Sequence, residues 1–142
     1  MRLLHSKDIR LQEFVGDSEP PYAILSHTWE KEEVSLADMK AGQAAMLKGY
    51  PKILGSCAQA LRDGYEWVWI DTCCIDRSSS AELGEAINSM YAWYERAEIC
   101  YVYLVDVENR GKGWREEFQS SRWWTRGWTL RKSKLYRKRV TH

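Results

Sequence analysis

The chain has three prolines, two phenylalanines and no apolar run near the roughly 18–20 residues that a membrane-spanning helix needs. A helical span is therefore not expected. The opening Met1-Arg2-Leu3-Leu4-His5-Ser6 lacks the apolar stretch of a secretory signal. The four cysteines (57, 73, 74 and 100) and three histidines (His5, His27, His142) form no C-x-x-C pair and no zinc-ligand spacing. No metal is expected. Adjacent Cys73 and Cys74 suit neither a relaxed disulfide nor a metal clamp, so buried free thiols in a cytoplasmic, reducing setting are expected. There is no G-x-G-x-x-G, and Asn109-Arg110-Gly111-Lys112-Gly113 lacks the G-x-x-x-x-G-K-S/T pattern of a phosphate loop. Internal repeats are absent too.

Positive charge is scarce where most of the chain lies. Residues 1–130 hold 15 Lys and Arg against 20 Asp and Glu, a net of −5. A body without a basic face does not suggest a nucleic-acid partner. Residues 131–142 hold six Lys and Arg and no acid, a basic tail of the kind that is usually solvated.

What is present fits one globular domain: 142 residues, 44% hydrophobic and 29% charged, with eight Trp and eight Tyr. Pro20-Pro21 precedes a short apolar strand, Tyr22–Trp29. Ile9–Val15 alternates loosely, as an edge strand does. Glu30 to Gly49 reads as a loop with a short helix. Pro51 suits a helix start, Ile53, Leu54, Cys57, Ala58 and Leu61 give a stripe, and Gly64 is placed to end it. Tyr65–Asp71 is apolar at nearly every position, as a strand covered on both faces would be. Ser79 and Glu82 have capping-box spacing, and Leu83, Ile87, Met90, Tyr91 and Tyr94 share a face of the helix that follows. Ile99–Val105 is a third strand. Strand, helix, strand, helix, strand implies α/β architecture: an open, mostly parallel sheet with helices on both faces.

In such sheets ligands bind beyond the carboxyl ends of strands. Ser26, His27, Thr28 and Trp29 end one strand; Asp71, Thr72, Cys73, Cys74, Ile75 and Asp76 end another. Both are expected to converge with the helix start that carries Glu82 and Glu85. Each residue also has a structural reading: Asp71 and Asp76 as turn caps, Glu82 as a capping-box member, Glu85 as a dipole partner, His27 as a satisfied core histidine. Cys73 lacks the base that a nucleophile needs. Trp123, Trp124 and Trp128, beside Arg122 and Arg126, either stack on a flat ligand or pack as a lid over the core.

Taken together, these segments resemble the fungal heterokaryon-incompatibility (HET) domain. Tyr22-Ala23-Ile24-Leu25-Ser26-His27-Thr28-Trp29 is similar to its first signature block, Trp69–Asp76 with Ser78–Tyr94 to its second, and Ser121–Leu130 to its third. Met1-Arg2-Leu3-Leu4 also resembles the family's usual opening. The resemblance implies a signalling module in nonself recognition and regulated cell death, acting by self-association or with other death-signalling proteins. It also implies a flavodoxin-like sheet distantly related to the TIR domain, some of whose members cleave NAD with a glutamate. On that implication Glu85, Glu82 and Asp71 are the catalytic candidates. Ser26, His27, Trp29, Thr72, Cys73, Asp76, Arg126 and Trp128 are the candidates for binding NAD or a related nucleotide. Two positions depart from the family pattern. Lys132 stands where HET domains have glutamate after W-T-L, and a cation cannot do a carboxylate's work. Glu30 stands where glycine is usual. The family match runs over residues 1–130, and residues 131–142 are expected to lie outside it, as in a truncated copy or an inactive fragment.

Overall fold

Residues 1–16, 18–107 and 114–125 are described in the computed structural model of the chain. Strand β1 (Arg2–His5) turns back on β2 (Arg10–Glu13), and β3 (Ala23–His27) follows the Pro20-Pro21 break. A short helix α1 (Leu36–Lys40) and a single 3₁₀ turn lead to α2 (Tyr50–Arg62). Then come β4 (Trp67–Trp69), the one-turn α3 (Asp71–Cys74), the long α4 (Ser80–Arg96), β5 (Ile99–Tyr103) and α5 (Trp114–Ser120). A 3₁₀ turn over Arg122–Thr125 ends the described chain.

The five strands lie in the order β2-β1-β4-β3-β5. β3 pairs in parallel with both β4 and β5, whereas β1 pairs antiparallel with β2 and β4. The α/β expectation stands, but the sheet is mixed, not mostly parallel. The reason lies in the first thirteen residues, whose hairpin adds two antiparallel strands to the three parallel ones. Leu3 and Leu4, both fully buried, gave no alternation from which to read a strand.

Alternate residues point to opposite faces of the sheet. Ile24 is in register with Trp69 and Cys100, and Trp69 packs against Trp93 and Tyr94 of α4 with ring centroids 5.5 and 6.0 Å apart. On the opposite face Tyr101 donates its hydroxyl to Asp63, just past α2, at 2.9 Å. Helices thus cover both faces. Gly64, at φ +87°, takes the left-handed turn that ends α2.

Both long helices are rotated from their expected faces. In α2 the inward residues are Lys52, Ile53, Ser56, Cys57 and Ala60, while Leu54 and Leu61 are exposed and so is Ala58. In α4, Ala86 and Tyr94 are buried, and Ile87 and Tyr91 are about half exposed. The Trp69 contact with Trp93 and Tyr94 sets the α4 contact line through Leu83, Ala86, Met90 and Trp93. In α2 the polar partners of Lys52 draw it inward.

Candidate functional site

β3 and β4 run in parallel side by side, so their carboxyl ends lie together and Asp71, opening α3, falls beside His27. The His27 side chain is fully enclosed, with Nε2 2.8 Å from Asp71 Oδ1. The other Asp71 oxygen accepts the indole N–H of Trp29 at 3.0 Å. On the far side of the imidazole, Lys52 Nζ lies 2.9 Å from Nδ1 and 2.5 Å from Glu33 Oε1. Glu33 also accepts the backbone N–H of Glu30 at 2.8 Å.

The donors fix the tautomer. An ammonium has only protons to offer, so Nδ1 is the acceptor, and the single imidazole proton sits on Nε2 and goes to Asp71. The 3.2 Å approach of Nδ1 to the Thr28 carbonyl is then no hydrogen bond. A continuous chain results, Glu33–Lys52–His27–Asp71–Trp29, with the imidazole between Lys52 and Asp71. Arg77 lies over Trp29, its guanidinium carbon 3.3 Å from the ring centroid. Burial pulls the Arg77 guanidinium below its usual value, against the attraction of Asp71 and Glu33.

Three of the expected site residues, His27, Trp29 and Asp71, therefore meet. The other described candidates do not join them, and the single shared hollow is corrected to three separate places. Ser26, next to His27 on a strand, faces the other side of the sheet, where its hydroxyl accepts the Trp123 indole N–H at 3.1 Å. Trp123 is buried and packs edge-on against Trp124, close to Val102 and Leu104. Of the two readings of that tryptophan cluster, the described part is packed.

Glu82 sits at a third place. It forms a fork with the Arg2 guanidinium, one arm at 2.9 Å, and accepts the Asp76 backbone N–H at 2.7 Å. The Arg2 hydrogen bonds hold its carboxyl below the usual glutamate range. Ser79 caps α4 through the Glu82 N–H at 3.3 Å, but the Glu82 side chain turns to Arg2, so only half of the capping box forms. Glu85 is exposed and lines, with Arg2, Glu82, Trp69 and Trp93, a cavity of about 120 Å³. Ligand pockets run to about 300–1,000 Å³, and neither Ser26 nor Asp71 reaches this one.

The remaining candidates take local roles. Asp76 accepts the backbone N–H and hydroxyl of Ser78 at 3.0 and 2.6 Å, a turn cap that lowers its pKa. Thr72 is buried, and its hydroxyl has no hydrogen-bond partner among the described residues. The hydrogen bond with Cys74, together with burial, pushes the Cys73 thiol well up, so it stays protonated and is a poor nucleophile. All four cysteines are buried. Arg126, Trp128, Lys132 and the basic tail lie outside the described residues. Among the described residues no cluster of three or more His, Cys, Asp or Glu is placed to hold a metal. No described helix is long and apolar enough to cross a membrane.

Sequence reasoning does not reach Lys52, Glu33 or Arg77. One signal was available: Lys52 adjoins Ile53 and precedes Ser56 by one helical turn, so a charged residue stands on the inward stripe.

The chain matches the family described as Heterokaryon incompatibility protein (HET) over residues 22–114. It belongs to the HET family. Every member of the Glu33–Lys52–His27–Asp71 chain lies inside that matched span, whereas Arg2 lies outside it. The chain is also 50% identical, over 142 residues, to the vegetative incompatibility protein HET-E-1 of Podospora anserina. That match covers 92% of this chain and 10% of the relative, so the HET chain spans about a tenth of the length of the curated protein it matches. No solved structure matches it.

Proposed function

We propose that this chain is a signalling module of fungal nonself recognition, acting in the cytoplasm to trigger regulated cell death when incompatible cells fuse. Self-association, or docking on other death-signalling proteins, is its proposed mode of action. The observation that carries this reading is the meeting of the three signature blocks. His27 and Trp29 of the first block bind Asp71 of the second, and Ser26 of the first binds Trp123 of the third. Arg122 of the third block also pairs with Glu30, the residue standing where the family usually has glycine. A flavodoxin- or TIR-like core belongs to the same proposal. Its support is the parallel β4-β3-β5 order, in which β3 lies between the two strands that follow it in sequence.

Inducible expression of the 142-residue chain in a filamentous fungus tests the reading. Growth arrest and cell death are expected, with both lost in a His27→Asn variant that accumulates to the same level. Unimpeded growth of cells that hold folded wild-type protein contradicts it.

A further inference from the structure

The Glu33–Lys52–His27–Asp71 chain reaches the surface at the Asp71 end, beside exposed Trp29, and opens on cavities at the Lys52–Glu33 end. His27 lines neither of two neighbouring cavities, but Lys52 lines both: one of about 250 Å³ beside Leu25 and Tyr101, the other of about 410 Å³ beside Glu30, Glu33 and Lys48. Pro51 and Tyr103 border both as well. The Tyr103 ring centroid lies 5.8 Å from Lys52 Nζ and walls the amine on one side. The lysine side chain is only 6% exposed. Ordinary surface lysines, such as Lys48 at 84%, are held by neither an imidazole nor a buried carboxylate.

We propose that Lys52 is an imine-forming lysine for a small aldehyde or ketone that enters the larger cavity. The arrangement is that of an activated nucleophile: an attacking group, a base within hydrogen-bond reach, and a third group that orients the base. Asp71 accepts the Nε2–H hydrogen bond of His27 and so keeps the Nδ1 lone pair aimed at Lys52. Glu33, on the other side of the amine, is the proton carrier. A purely structural lysine needs one counter-ion; this one has two proton acceptors, at 2.9 and 2.5 Å.

The protons balance without any further reactant. Lys52 passes one ammonium proton to Glu33, which lines the same cavity, and the freed amine pair attacks the carbonyl carbon. The C–N bond forms as the C=O π pair moves to oxygen, which takes the proton back from Glu33. Glu33 then removes a second proton from nitrogen and delivers it to the hydroxyl, which departs as water while C=N forms. Ammonium and carbonyl have become a protonated imine and water, with Glu33 restored. In this scheme Asp71 is a positioning residue.

The test is reductive trapping on the whole folded chain at neutral pH, with glyceraldehyde as probe and cyanoborohydride as trap. Peptide mass spectrometry reads the modification rate at each lysine. Lys52 should be alkylated roughly tenfold faster than Lys48, or more, and that preference should vanish in denaturant, where no base is positioned. Glu33→Gln should slow Lys52 by about 10²-fold, the usual scale of general acid–base assistance, and leave Lys48 unchanged. A folded wild-type chain in which Lys52 reacts no faster than Lys48 overturns the proposal. That comparison holds within one protein, so it stands even if the Glu33 variant fails to fold.

Discussion

At the start of α4, Glu82 meets a guanidinium and a backbone N–H directly; beside β3, Asp71 meets an imidazole whose other nitrogen continues to Lys52 and Glu33. Both sites join a carboxylate to a cation. In the first, the fork of Arg2 matches the two carboxylate oxygens directly and fastens β1 to the α4 start. In the second, an imidazole stands between Asp71 and Lys52, and the line runs from Asp71 to a cavity wall. The clamp is partly exposed, at 17% and 30%, while the Lys52–Glu33 pair is at 6% and 13%. The contrast teaches that charged residues in a fold of this size can act as fasteners or as wiring, and that the partner between the charges decides which.

The largest effect should come from cutting the buried line. Lys52→Met leaves the largely buried Glu33 without its cation and the His27 Nδ1 without its donor. Breaking a buried pair on one side costs about 3–5 kcal/mol. Urea denaturation should register a loss of that size, and a loss near that of a surface substitution would put the two sites on one footing.

Removing the clamp should cost less. Arg2→Ala leaves Glu82 with the Asp76 N–H and access to water, and the loss should be about 1–3 kcal/mol, the range for hydrogen bonds to charged groups. Its pH dependence carries a sign. Because Arg2 holds the folded Glu82 below its unfolded value, the stabilisation is fully present above the unfolded glutamate pKa of about 4.3. It fades as pH falls through the lower folded value. The stability gap between wild type and Arg2→Ala, followed by denaturation at a series of pH values, should therefore close on acidification and stay constant near neutrality. A gap that widens in acid would show that Glu82 is not the partner that matters.

Much of the fold was legible because its signals are local. Ser79 as a cap, Gly64 as a stop and the apolar density of Trp67–Trp69 each act within a few residues. β1 was not legible, since Leu3 and Leu4 form a strand by pairing with Gln12 and Leu11 on one side and, through Leu4, with Val68 far along the chain on the other. Ser26 and His27 looked like one cluster because they are adjacent in sequence, yet the two-residue period of a strand sends them to opposite faces. Lys52 went unseen because a lysine on a helix normally belongs to solvent. What keeps it inside is a pair of acceptors brought from β3 and from the loop before α1, a convergence that exists only in three dimensions. The Asp71 partnership with His27 lay between these cases. The rule for parallel strands placed it near the site, while the hydrogen-bond direction needed coordinates.

The orientation of the His27 proton carries the whole contrast between clamp and line. Nitrogen-resolved NMR of the histidine side chains at neutral pH observes it directly. A slowly exchanging proton on Nε2 and a hydrogen-bonded, unprotonated Nδ1 are expected. A proton on Nδ1, donated to the Thr28 carbonyl, would contradict it, because Lys52 would then have no acceptor on the ring and the line would end at Asp71.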